Sequence, residues 1–307
     1  MDAQVKNALM DDGATLVWHE WKPEEERPRF LVHILHGMGE HGARYDRFAC
    51  YLAGKGALVF IHDHRGHGLT AQANRQRLGV IAKEDGWNRL EKDSSVLDEL
   101  LLARYPGVPL FLMGHSMGSF LARTVMERHP ERFRGVVAMG SGCSLGLLAP
   151  FAMLIARSHI KKYGYDHPDD MLSKMAFGPY LKRIKPVRTQ NDWLNRDAKE
   201  VDAYNADPLC GFTCSSSFYR DLFTGIATAN DPSLIKAVPK DLPFLMISGD
   251  QDPVGGWGKG VEKAFGLYGR LTDKTLRLVP GARHELLNEL EKDETYACLY
   301  EWMAGRL

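Results

Sequence analysis

The sequence predicts an α/β fold: a mostly parallel central sheet, helices on both of its faces, and a helical insertion at its rim. Three observations predict it. Short apolar runs alternate with stretches of helical pattern along most of the 307 residues. One junction, "LFLMGHSMGSFLARTVMERHP", passes from a strand pattern to a helix pattern through two glycines that flank a serine. The alternation lapses between about residues 144 and 228, where helical pieces broken by Pro, Gly and Tyr carry no strand signal.

In chain order, "ATLVWHEW" and "RFLVHILHG" read as strands, expected to form an antiparallel pair. The apolar runs at 57–63, 109–114, 135–140, 243–248 and 274–281 follow as further strands. Helical patterns fill the gaps, over Tyr45 to Lys55, Trp87 to Arg104, Ser116 to Arg128, Lys259 to Tyr268 and Glu289 to Met303. Residues 1–143 and 229–307 then make the core, and 144–228 a helical cap or lid. A stretch of that length between two core strands is better explained as a folded insertion than as a bare loop.

Composition narrows the function. Lys plus Arg (39) equals Asp plus Glu (39), so the formal net charge is zero. A polyanion-binding surface needs a clustered excess of cations, and nucleic acid is therefore not an expected partner. The cysteines at 50, 143, 210, 214 and 298 are scattered and odd in number, unlike a disulfide framework. No basic segment followed by an apolar one opens the chain, so a reducing, cytoplasmic setting is expected. The apolar run "LGLLAPFAMLIA" (Leu145 to Ala156) is too short to span a bilayer and carries a proline. With the basic "RSHIKKYG" behind it, that run suits an acyl tunnel, a packed cap helix or peripheral contact with a membrane.

The chemistry starts at Gly114-His115-Ser116-Met117-Gly118. A strand that turns sharply into a helix leaves its central serine strained and exposed, with no room for a Cβ two residues either side. The helix start adds unpaired N–H groups and a positive dipole end for a developing oxyanion. This is the nucleophile elbow of the α/β-hydrolase fold, in which the chain order is serine, acid, histidine. A serine hydroxyl needs a general base, and the base needs a carboxylate to orient it. His284 of "VPGARHELLNE" follows the last strand and is the expected base. "SGDQDP" follows the preceding strand and supplies either Asp250 or Asp252. The backbone N–H of Met117 and that of Met38, between two glycines of "HGMG", are the expected oxyanion donors.

Together "HGMGEHGARY", "HDHRGHGLT", "GHSMG", "SGDQDP" and "GARHELLNE" resemble the monoacylglycerol lipase and lysophospholipase branch of the serine α/β-hydrolases. The resemblance runs nearly the whole length and includes "VDAYNADPL" within the cap. It implies hydrolysis of carboxylic esters of single-chain lipids through an acyl-enzyme on Ser116, with no metal or organic cofactor. It implies a G-x-x-D turn, which selects Asp252; Pro253 supports this by favouring an extended Asp252. Asp250 is then a turn former. The resemblance also implies that Arg44, Glu40, His115 and Tyr204 line the glycerol end of the pocket.

Other readings remain open in the sequence. His62, His64 and His67 have metal-like spacing, but no second ligand cluster completes a zinc site. Cys210 and Cys214 could share a helix face as redox-sensitive thiols, or be ordinary buried cysteines. A small-ester carboxylesterase or a proline-type N-terminal peptidase could use the same triad. The peptidase would need a cap carboxylate for the substrate ammonium, with Asp166, Asp169, Asp170 and Asp192 as candidates. A non-catalytic binding module would have lost part of the triad, and Ser116, Asp252 and His284 are all present.

Overall fold

Strands buried on both faces must be apolar on both, and five of the strands here are. A computed structural model describes residues 2–144 and 146–307, Leu147 by its backbone alone. The strands are β1 (Gln4–Leu9), β2 (Thr15–Trp21), β3 (Phe30–Leu35), β4 (Ala57–His62), β5 (Leu110–His115), β6 (Gly135–Met139), β7 (Phe244–Gly249) and β8 (Lys274–Val279). They form one 8-stranded sheet in the order β1-β2-β4-β3-β5-β6-β7-β8. Every residue of β3 to β7 is buried.

The expected antiparallel pairing of the second and third strands does not form. β2 pairs antiparallel with β1 and β4, whereas β3 lies parallel between β4 and β5. A strand as apolar as "FLVHIL" needs a neighbour on each edge and a layer on each face, and the sheet centre supplies both. β1, mostly exposed even at Val5 and Leu9, takes the edge beside β2 instead.

The helices are α1 (Asp46–Ala53), α2 (Gly68–Ala73), α3 (Gly86–Arg104), α4 (Met117–Arg128), α5 (Ala149–Tyr163), α6 (Asp170–Phe177), α7 (Ala198–Ala206), α8 (Ser216–Thr228), α9 (Pro232–Ala237), α10 (Lys259–Leu267) and α11 (Lys292–Ala304). Alternation along the strands sorts the core into two layers. Leu31, Leu110, Leu112, Val136 and Met246 pack with Leu97 of α3 and Val125 of α4. Val32, Val59, Met113, Val137 and Ile247 pack with Leu52 of α1 and Leu299 of α11.

Helices α5 to α9 all come between β6 and β7. Leu145, the first residue of the apolar run, lies outside the described residues. Among the described residues no helix is long and apolar enough to cross a membrane.

Candidate active site

In an open parallel sheet, the loops at the carboxyl ends of the strands frame the binding crevice. Here the loops after β3, β5, β7 and β8 meet. Ser116 joins β5 to α4 with φ 55° and ψ −120°, a conformation that costs a non-glycine residue about 1–3 kcal/mol. Close packing makes the flanking glycines obligatory. A Cβ on Gly114 would sit 2.0 Å from the Gly118 carbonyl oxygen, and one on Gly118 would sit 2.0 Å from that of Leu35. The Ser116 N–H donates to Met139 O at 2.9 Å, and its carbonyl accepts from Ser119 N at 2.8 Å. The turn is held on both sides while the side chain stays partly open.

His284 Nδ1 lies 2.9 Å from Asp252 Oδ2, with both residues buried. Asp252 also accepts from Ser248 Oγ at 3.1 Å and from Val254 N at 2.9 Å, so its carboxylate is aimed from three directions. Asp250 Oδ1 accepts the N–H of Gly281 at 2.8 Å. It thus braces the neighbouring loop that carries His284, rather than a nearby backbone group of its own turn. Gly249 lets those two loops touch, because a Cβ there would lie 2.0 Å from Ala282 O. No hydrogen bond joins Ser116 Oγ to His284 among the described residues. Such contacts are commonly long without substrate and tighten when it binds.

Oxyanion donors must be free. Gly37 N–H donates to Glu40 Oε1 at 2.6 Å, and Gly39 N–H to His67 Nε2 at 3.2 Å. The Met38 N–H between them meets no acceptor among the described residues. Met117 opens α4, where the first N–H has no intrahelical partner. Gly37 also lies against Ser116, since a Cβ on it would be 3.1 Å from Ser116 Cβ.

Beside these donors is a buried charged cluster. Arg44 Nη1 donates to Glu40 Oε2 at 2.6 Å and to Glu285 Oε1 at 2.7 Å, and Nη2 reaches Glu285 Oε2 at 3.0 Å. Glu40 Oε1 meets Tyr45 Oη at 2.8 Å and His115 Nδ1 at 3.0 Å. Burial opposes ionisation of Glu40, but His115 and Arg44 outweigh it and hold the carboxyl well below its ordinary range. Burial likewise opposes a charge on His115, and Glu40 overrides it and raises the imidazole above its usual value. Glu40, Arg44 and His115 line one small cavity with Tyr45 and Glu285, and Tyr204 is not in its wall. The Tyr204 hydroxyl instead donates to Gly39 O at 2.9 Å, with the Arg44 guanidinium 4.9 Å from its ring centre.

The histidines of "HDHRGHG" serve the fold. His33 Nδ1 meets Asp98 Oδ1 at 2.7 Å, and His33 Nε2 meets His62 Nδ1 at 2.9 Å. His62 Nε2 then meets His64 Nδ1 at 3.0 Å, and His64 Nε2 meets His36 O at 3.2 Å. Burial holds His62 and His64 well below the usual imidazole range, and His67 at about 3. Among the described residues one group gathers three metal-type donors, His41, Asp207 and Cys210, within 4.8 Å. Burial pushes the Cys210 thiol up, and the adjacent field of Arg44 opposes a second cation there.

Sequence reading missed Glu285, the second arm of the Arg44 clamp, and Trp193, whose ring centre is 5.0 Å from that of His284. Both act across long sequence separations and carry no local spacing signal.

The profile described as serine aminopeptidase, S33, matches residues 26–291. Monoglyceride lipase of Mus musculus is 32% identical over 305 residues, covering 96% of this chain and 89% of the mouse protein. Monoacylglycerol lipase of Mycolicibacterium smegmatis is 26% identical over 303 residues, covering 96% and 95%. A thermostable carboxyl esterase from Bacillus coagulans, solved in complex with glycerol, superposes with a TM-score of 0.91 at 26% identity over 99% of each chain. Likeness that runs through the core and the insertion alike makes this chain a member of the S33 serine hydrolase family, in its monoglyceride lipase branch.

Proposed function

We propose that this carboxylic ester hydrolase cleaves monoacylglycerols through an acyl-enzyme on Ser116, with residues 144–228 as a cap over the site. The observation that carries the reading is the Asp252–His284 pair beside a strained Ser116, next to an unfilled Met38 N–H. Ser116 Oγ bonds to the acyl carbon while His284 Nε2 takes its proton, and Asp252 fixes the ring and stabilises its cationic form. The Met38 and Met117 N–H groups receive the oxyanion, each worth about 3–4 kcal/mol in comparable sites. The C–O bond to the alcohol then breaks and the proton leaves with the alcohol. Water repeats the sequence on the acyl-enzyme and releases the fatty acid.

The head group follows from the charges. Arg44 already meets two carboxylates, so a phosphodiester finds no uncommitted cation in this cluster, whereas a neutral glycerol needs only the N–H groups that Arg44 does not spend on Glu40 and Glu285. Tyr204 closes that end through the Gly39 loop. The glycerol held by the Bacillus coagulans esterase supports a glycerol-sized alcohol site. An aminopeptidase would need an open carboxylate in the cap. Of the four cap candidates, Asp169 is engaged by His159 and Ser216 and Asp192 by Arg188 and Thr189, while Asp166 and Asp170 lie exposed on the cap surface.

The acyl chain belongs under the cap, whose α5 exposes Phe151 and Leu154 and whose α6 exposes Met171 and Met175. Lys161 and Lys162 close α5, so this face suits peripheral docking on an anionic membrane. Cys143, Cys210, Cys214 and Cys298 form no disulfide, which suits a reducing, cytoplasmic setting.

A fluorophosphonate probe should label the protein and leave Ser116→Ala unlabelled, with turnover down on the order of 10⁴-fold or more. Monoacylglycerol should be cleaved faster than lysophospholipid and far faster than aminoacyl amides. Labelling of Ser116→Ala, or a preference for amides, overturns the proposal.

A further inference from the structure

The imidazole of His284 is enclosed on two sides. On the core side are the His115 ring, 4.6 Å away between centres, and Gly140, where a Cβ would come 3.0 Å from Cε1. On the other side is Trp193, 5.0 Å between centres and tilted by 43°. Trp193 is itself buried and wedged, stacked on Phe177 at 5.8 Å and meeting Tyr180 edge-on at 4.9 Å. The two loops are fastened together on both sides of this contact. Arg283 Nη1 donates to Asp192 O at 2.6 Å and Asn195 O at 2.9 Å, and Glu285 N donates to Leu194 O at 2.8 Å. The residues immediately before and after His284 therefore grip the backbone around Trp193.

We propose that Trp193 is a positioning residue for catalysis, held by the cap against His284 so that the imidazole keeps the rotamer its relay role requires. The inference rests on His284 being the general base. During turnover that ring becomes cationic, and an indole face within about 6 Å attracts a cation. The same indole keeps water from competing for the bond to Asp252. Asp252 fixes the ring at Nδ1 alone, which leaves rotation about that bond to be restrained by the two flanking rings. Geometry of this kind acts on the chemical step more than on substrate capture, because loss of near-attack alignment lowers kcat.

The test is a kinetic series on the full-length enzyme with a soluble monoacylglycerol. Trp193→Ala should lower kcat on the order of 10- to 100-fold with KM changed less than about threefold, and Trp193→Phe should recover kcat to within about threefold of wild type. Should Trp193→Ala fail to fold, Trp193→Leu fills most of the volume without a π-face and should show the same loss of kcat. A raised KM at unchanged kcat, or a Trp193→Leu enzyme with wild-type kcat, overturns the inference. Full activity in His284→Ala instead overturns the reading of the site itself, so the two failures are separable.

Discussion

Two buried polar clusters meet at the loop His36 to Glu40, and they handle charge in opposite ways. On one side Arg44 bridges Glu40 and Glu285, and Glu40 is held well below the usual carboxyl range while it raises His115, each of these groups meeting an opposite partner within hydrogen-bond reach. On the other, His62, His64 and His67 are equally buried but held neutral, because their partners are other imidazoles and backbone groups. Burial alone does not set the protonation state; the partner does. The charged cluster can stabilise a polar head group and a developing charge. The neutral one can only brace the loop that carries the Met38 N–H.

Four substitutions sharpen or break this contrast. The largest effect belongs to the catalytic edge: Asp252→Ala should lower kcat on the order of 10⁴-fold, and Asp250→Ala about tenfold or less. Equal losses in steady-state kinetics would mean that the brace on Gly281 matters as much as the contact with His284. Next, Glu40→Gln removes the charge that answers both Arg44 and His115 and weakens the bond to Gly37 N–H. Its kcat/KM should fall about 10- to 100-fold, matching the roughly 1.5–3 kcal/mol of a charge-assisted bond. An unchanged kcat/KM would dissolve the functional difference between the clusters.

The smallest effect concerns pH. His67 is held at about 3 in the folded protein, far under an unfolded imidazole near 6.5. Between those values the unfolded state binds more protons, so His67 contributes stability above about pH 6.5 that is lost as pH falls. His67→Gln keeps an acceptor for Gly39 N–H but does not titrate. Its unfolding free energy should fall less steeply below pH 6.5, by up to one proton, or about 1.4 kcal/mol per pH unit. Denaturant melts across that range measure the slope. A slope equal to that of the wild type would show that His67 is not held neutral.

The parts of the site legible in the sequence are those that local geometry dictates. The elbow glycines around Ser116 are demanded by contacts of 2.0 Å, and His284 and the turn that carries Asp250 and Asp252 follow from the order of strands, with the family resemblance choosing Asp252 between the two. The pairing of β2 was misread because an apolar strand does not say which neighbours it will have, and β1 carries too little apolar pattern to announce itself. The bond from the Tyr204 hydroxyl to Gly39 O joins the cap to the loop of Met38, a pairing that only the folded distance reveals. Glu285 and Trp193 stayed hidden because their partners, Arg44 and His284, lie far away in sequence.

The fastening around His284 has a consequence for how such a molecule can diversify. Its acceptors are the main-chain oxygens of Asp192, Leu194 and Asn195, which any amino acid at those positions would also present. Side chains there can be exchanged without undoing the bonds. Mutational drift in that stretch can therefore reshape the pocket while the register of the relay is inherited intact.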